Sequence, residues 1–229
     1  MTDVDEAQER DQDAAGPTEW AMPGAVGVGP WPGGPDAWPA DPRYDPDLLA
    51  DGDRRNVVDA YRYWRREAVA ADLARRAHPF HVAIENFGHD ANIGTVVRTA
   101  NAFAAAAVHI VGRRRWNRRG AMVTDRYQTV RHHADIEALA AFAGAHGLAV
   151  VAVDNTPGAV RLETAVLPRA CVLVFGQEGP GLTGEARQVA DLTVSIAQFG
   201  STRSVNAGVA AGIVMHAWIR AHADLSAAW

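Results

Sequence analysis

Arg98 stands in the middle of an alanine- and valine-rich segment, Asn92-Ile-Gly-Thr-Val-Val-Arg-Thr-Ala-Asn-Ala-Phe103. A charge there is costly unless it finds a partner, lines a site, or reaches the surface along its own stem. Asn92 is of the type that caps a helix. A second stretch, Arg113-Arg-Arg-Trp-Asn-Arg-Arg119, holds five arginines and a tryptophan in seven residues. Guanidinium forks pair with phosphates and an indole stacks on a base. Arg113, Arg114, Arg115, Trp116, Arg118 and Arg119 are therefore candidates for RNA contact, set against a merely solvated loop. The third stretch is Gly176-Gln-Glu-Gly-Pro-Gly-Leu-Thr-Gly184, followed by the polar loop Ala197-Gln-Phe-Gly-Ser-Thr-Arg-Ser-Val-Asn206. Each follows an apolar run. Two strand ends feeding loops of backbone donors and small polar residues make a small-molecule pocket at the carboxyl edge of a sheet.

Several other chemistries compete for these residues. Gly179-Pro-Gly181-Leu-Thr-Gly184 satisfies the G-x-G-x-x-G pattern of dinucleotide binding. That reading needs an acid about 20 residues on to hold a ribose hydroxyl. None lies between Asp191 and Asp224, and Pro180 interrupts the turn. His132 and His133 are adjacent and point in different directions on most backbones, which makes a poor metal site; no metal is expected. Ser201 and Ser204 have no nucleophile context. Cys171 is the only cysteine. It excludes an intramolecular disulfide and a cysteine zinc cluster, and in an apolar run it reads as a buried, inert thiol.

The elements that must position these residues alternate. Residues 81–85, 107–111, 148–153, 171–175 and 192–196 read as strands. Helices are expected from Asn92 to about Ala104, across Ile136, Leu139, Ala140 and Phe142, as a short piece near 160–165, and from Asn206 onward. The fold class is α/β, with a mostly parallel sheet flanked by helices. Before this, Val57, Tyr61, Trp64 and Ala68 recur at helical spacing and predict a basic amphipathic helix over 53–77. Residues 1–50 are rich in Pro, Gly, Asp and Ala without periodicity and are expected to be a disordered acidic tail. Trp20, Trp31 and Trp38 are unusual there. The domain reading is a tail over 1–50, a helical extension over 51–79, and a folded domain over 80–222.

The formal charge of the 229-residue chain is −5, yet residues 1–50 hold eleven acids and two arginines. Sixteen acids and twenty arginines remain for the rest, a formal +4. A mildly basic body is compatible with a polyanionic partner. The amino terminus is too acidic for a signal peptide, and the run from Val205 to Ile219 is too short to span a bilayer. A cytoplasmic protein with no membrane partner is expected.

Three blocks together resemble the SpoU-type RNA ribose 2′-O-methyltransferases of the SPOUT superfamily. They are residues 92–103, Val174-Phe-Gly-Gln-Glu-Gly-Pro-Gly-Leu182, and Ile196 to Gly200 with Ser204-Val-Asn206 and on to Ala211. The resemblance covers about residues 80–220. It implies a carboxyl-terminal trefoil knot, a homodimer, and S-adenosylmethionine as cofactor. It places Phe175, Gly176, Gln177, Gly181, Ile196, Gly200, Val205 and Asn206 at cofactor positions, and Arg98, Asn92, Glu178, Ser204 and Asn206 at active-site positions. The implied substrate is tRNA or rRNA, with tRNA favoured. A non-catalytic RNA-binding knotted dimer is the alternative, and a dinucleotide-dependent oxidoreductase a more distant one. Two departures stand out. Ala104 follows Phe103 where the family often has glycine, and Gln198-Phe199-Gly200 with Arg203 replaces a more apolar version.

Overall fold

The computed structural model describes residues 27–86, 92–177 and 180–226, apart from the Arg119 side chain. The chain forms two compact units, Met1–Arg65 and Arg66–Trp229.

In the first unit, residues 27–65 wrap around an aromatic cluster and are not a featureless tail. Val28 and Asp53 form an antiparallel bridge. Helix α1, Pro46–Asp51, starts with proline at its first position and is capped by Asp45, whose carboxylate accepts from the Asp47 N–H. Trp31 packs edge-on against Tyr44 and Tyr63 at 5.8 and 5.3 Å between ring centroids. Trp20 lies outside the described residues. The expected helix over 53–77 does not form as one piece: a 3-10 turn occupies Asp59–Tyr61 and a helix, α2, begins only at Arg66 and ends at Arg76. Buried Asp53 is the cause. Its carboxylate accepts from the Arg55 side chain at 2.7 Å and the Tyr63 N–H at 2.9 Å, and Tyr63 takes φ 61°. Burial alone would raise the Asp53 pKa, but these bonds overcome it and hold the carboxyl below its usual range.

The second unit contains α2 and a seven-stranded sheet. Its strands are β1 (Phe80–Asn86), β2 (Val108–Gly112), β3 (Val130–His133), β4 (Ala149–Val153), β5 (Val160–Arg161), β6 (Cys171–Phe175) and β7 (Leu192–Ser195). The order is β3-β2-β1-β6-β4-β7-β5, and every pairing is parallel. The helices are α3 (Asn92–Ala102), α4 (Ile136–Ala145), α5 (Gly184–Gln188) and α6 (Ala207–His222). Helices α3 and α6 cover one face with Ile93, Val96, Val97, Val214, Met215 and Trp218. The other face lies under α4 and α5, through Ile136, Leu139, Ala143 and Ala186. Burial on both faces explains why β6 is an unbroken apolar run: all five residues are buried. Cys171 is among them, and burial pushes its thiol up to about 12, consistent with an inert core residue.

Three details differ from the sequence reading. The segment near 160–165 contributes the short edge strand β5 and a turn instead of a helix, because Val160 and Arg161 pair with Val194 and Ser195. Helix α3 stops at Ala102, in a Schellman turn: the Ala104 N–H donates to Asn101 O, the Ala105 N–H to Ala100 O, and Ala104 takes φ 49°. Finally, β3 has no legible strand pattern in the sequence, and its His133 ends a row of imidazoles. His81 Nδ1 lies 2.9 Å from His109 Nε2, and His109 Nδ1 lies 2.8 Å from His133 Nε2, with Phe142 of α4 packed over all three. Burial keeps the row neutral, lowering His81 to about 4 and His109 to about 3, with neighbouring histidines adding to the effect. His132 points elsewhere and meets the Gly112 carbonyl.

Candidate active site

With all strands parallel, the segments after β2, β4, β6 and β7 leave from one edge of the sheet. The segment after β6 is a closed turn. The Gln177 N–H donates to Gly181 O at 3.2 Å and the Gly181 N–H returns to Gln177 O at 3.1 Å. A Cβ on Gly176 would sit 2.1 Å from the Gly181 carbonyl carbon, so only glycine permits the closure. Gly181 itself takes φ 73°. The turn leads into α5, a helix of five residues capped by Thr183. A dinucleotide fold needs a longer helix whose amino terminus faces the pyrophosphate. The geometry thus agrees with the missing downstream acid in disfavouring that reading. Phe175 has its ring in the core at 2% exposure, so only its backbone can border a ligand.

The loop after β7 runs past half-buried Ile196 and Val205, with Gly200, Arg203 and Ser204 exposed. It ends at Asn206, which does two things. Its amide oxygen accepts from the Gly208 and Val209 N–H groups at 2.9 and 3.2 Å, capping α6, and its Nδ2 donates to Asn92 Oδ1 at 2.9 Å. Two blocks 114 residues apart are thereby joined. Glycine allows the helices to approach: a Cβ on Gly208 would lie 3.2 Å from the Thr95 methyl. Arg98 is exposed on α3, six residues beyond Asn92, or about 9 Å along the helix. It reaches the surface, as one reading of its sequence position required. Glu178 lies outside the described residues.

On the other side, the arginine loop is held from beneath. The buried Asn86 side chain donates to the carbonyls of Arg113 and Arg115 at 2.7 and 2.9 Å. This turns Arg113, Arg114 and Arg115 outward, where they are exposed. Trp116 is half-buried against the apolar core, with the Arg118 guanidinium 5.7 Å from its ring centroid. Part of its surface is thus already occupied. Arg119 opens a 3-10 turn over Arg119–Ala121.

Four residues of this edge do not stand out from the sequence: Glu85, Asn86, Asp154 and Arg187. Glu85 is fully buried and bonded to Thr183. Burial raises its pKa, and the Thr183 bonds work against that rise. Asp154 follows β4, pairs with Arg187 at 3.2 Å, and packs beside Gly181. The next residue, Asn155, donates to the Arg203 carbonyl at 3.2 Å, tying the loops after β4 and β7 together. An open depression of about 540 Å³ is lined by Thr156, Pro157, Gly158, Ala159, Arg187 and Thr193. Among the described residues, none of those expected from sequence lines it; the link is Asp154, which pairs with Arg187 and lies beside Gly181. The signal available was positional: polar residues at strand carboxyl ends.

Comparison with known proteins agrees with this architecture. The model of the SpoU rRNA Methylase family matches residues 79–216, and the chain belongs to that family. An uncharacterized tRNA/rRNA methyltransferase of Mycolicibacterium vanbaalenii is 33% identical over 186 residues, covering 76% of this chain and 58% of the relative. The tRNA (guanosine(18)-2′-O)-methyltransferase of Escherichia coli K12 is 28% identical over 147 residues, covering 63% of this chain and 64% of the relative. In both cases the chain spans less than two thirds of the relative's length. Among solved structures, an AdoMet-bound rRNA methyltransferase from Sinorhizobium meliloti superposes with a TM-score of 0.56 at 27% identity, covering 64% of this chain and 59% of that one.

Proposed function

We propose that the chain transfers a methyl group from S-adenosylmethionine to a ribose 2′-OH of tRNA or rRNA, with tRNA favoured. The observation that carries this reading is the Asn92–Asn206 bond, which draws the Arg98 helix and the Ser204–Asn206 segment to the edge that holds the glycine turn. The site fits the cofactor. Ile196 and Val205 offer apolar surface, and the backbone around Gly176 and Gly200 offers donors and acceptors. When bound, the cofactor supplies an electrophilic methyl on a sulfonium sulfur.

The chain's own residues do the rest. Arg98 holds the phosphate beside the reacting ribose and stabilises the charge developing on its oxygen. A guanidinium stays protonated and is a poor base, so the hydroxyl proton would leave to phosphate or water and not to Arg98. Asn92 commits its amide oxygen to Asn206, which makes it a strut for that residue. Asn206 and Ser204 shape the pocket wall, and Glu178 orients Arg98. Arg113, Arg114, Arg115 and Arg118 pair with RNA phosphates. The reading extends to a trefoil knot at the carboxyl-terminal end and to a homodimer. The exposed apolar pair Val209 and Ile213, one turn apart on α6, supports a second copy there.

Transfer of tritium from labelled S-adenosylmethionine to bulk RNA tests the activity. Arg98→Ala should lower transfer by orders of magnitude while S-adenosylhomocysteine still binds. Binding of RNA without any transfer by the unaltered chain would favour the non-catalytic alternative. Near-normal turnover in Arg98→Ala would remove Arg98 from its role.

A further inference from the structure

We infer that Glu85 and Asn86, the last two residues of β1, form a bracket that sets the glycine turn and the arginine loop in one frame. Each is a positioning residue for a different substrate. The identity of the two substrates rests on the function proposed above; the bracket itself rests on hydrogen bonds.

β1 lies between β2 and β6, so the segments leaving both neighbours pass its carboxyl end. Consecutive side chains of a strand point to opposite faces. Glu85 and Asn86 therefore reach in different directions from the same point. Glu85 Oε2 accepts from the Thr183 N–H at 2.9 Å, and Oε1 accepts from the Thr183 hydroxyl at 2.6 Å. That hydroxyl oxygen in turn accepts from the Ala186 N–H at 3.2 Å. One carboxylate thus fixes the far end of the glycine turn and, through Thr183, the start of α5. Asn86 holds the other side. Its Nδ2 donates to the Arg113 and Arg115 carbonyls, and its own carbonyl accepts from the Arg113 N–H at 2.8 Å.

Both side chains are essentially buried, at 0 and 1% exposure. A strand end covered on both faces is packed more readily by valine or isoleucine, and a carboxylate there is costly unless bonded. The hydrogen bonds to two otherwise separate loops account for the polar pair. A positioning role predicts a specific division. Loss of Glu85 or Thr183 bonds loosens the turn that borders the cofactor, and loss of Asn86 bonds loosens the loop that carries the arginines. A purely stabilising role predicts no such division.

The test uses the full chain with Glu85→Gln, Thr183→Val, Thr183→Ser and Asn86→Ala. Binding of S-adenosylhomocysteine and of a tRNA transcript is measured for each, with hydrogen exchange of the unliganded proteins. Glu85→Gln and Thr183→Val should weaken S-adenosylhomocysteine about tenfold, the scale of one lost charge-assisted bond, and leave RNA affinity within about twofold. Asn86→Ala should do the reverse, and Thr183→Ser, which keeps the hydroxyl, should restore near-normal binding. Exchange should rise at Thr183 in the first pair only and at 113–115 in Asn86→Ala only. If every variant shifts both ligands alike, or exchange rises in both segments together, the bracket is refuted. If the unaltered chain binds neither probe while exchange still divides as stated, the bracket stands and the proposed function falls.

Discussion

Replacing Ala104 with glycine should make this protein more stable, although it removes a methyl group and adds a flexible residue. Ala104 is the residue just past α3 in the Schellman turn, with φ 49°. A Cβ in the left-handed region crowds the following carbonyl, at about 1–2 kcal/mol per residue. Glycine adds entropy to the unfolded chain, worth about 0.4–1 kcal/mol, but at positive φ the strain relieved is the larger quantity. Ala104 is half-buried, so losing its methyl subtracts a few tenths, under the ~0.8 kcal/mol of a fully buried carbon. The net gain is about 0.5 kcal/mol, or a rise in Tm of about 1–2 °C for a chain of this size. Urea denaturation and thermal scans of Ala104→Gly beside Ala102→Gly provide the assay. Ala102 has no positive φ and is exposed, so glycine there should destabilise. An Ala104→Gly protein no more stable than its parent would refute the strain argument.

Other perturbations have equally definite outcomes. Asn206→Ala leaves the Gly208 and Val209 N–H groups without this side-chain acceptor and removes the bond to Asn92 Oδ1; a loss of about 1–2 kcal/mol is expected by denaturation. Asn206→Asp, which can still accept from both N–H groups, should lose less. The histidine row sets a pH dependence. Its folded values, about 4 for His81 and about 3 for His109, lie below the unfolded value of roughly 6.5, so the unfolded chain binds more protons between them. Stability is then full above about pH 6.5 and falls as pH drops through that window. His109→Gln should reduce the slope of unfolding free energy between about pH 4 and 6 by about 1.4 kcal/mol per unit, and equal slopes would remove the row as the cause. Arg114→Glu with Arg115→Glu should weaken RNA binding and lower the salt slope by about 1 for each phosphate no longer paired. An unchanged slope in filter-binding or anisotropy titrations would count against the arginine loop.

Much of the second unit can be read from residues because local signals and tertiary demand agree there. Strand β6 is apolar throughout because both its faces are covered, and its predicted and observed limits coincide. Asn206 is expected at the start of a helix, and its short amide caps α6. The first unit departs from its sequence pattern for the opposite reason. Val57, Tyr61, Trp64 and Ala68 have helical spacing, but the buried Asp53 network and the left-handed Tyr63 override it. The expected tail over 1–50 likewise takes a Pro- and Gly-rich composition for lack of structure. In residues 27–65 that composition serves tight turns around Trp31, Tyr44 and Tyr63.

By itself, the sequence determined the α/β class, the Arg98 segment, the glycine turn and the family to which they point, since each depends on residues close together in the chain. Only the tertiary structure decided which distant residues meet. Asn92 pairs with Asn206, Glu85 with Thr183, Asn86 with the arginine loop, and His81 with His109 and His133. Those pairings follow from a strand order in which β6, late in the chain, is inserted between β1 and β4. Hydrophobic periodicity tells which face of a strand is buried, but not which strand lies beside it.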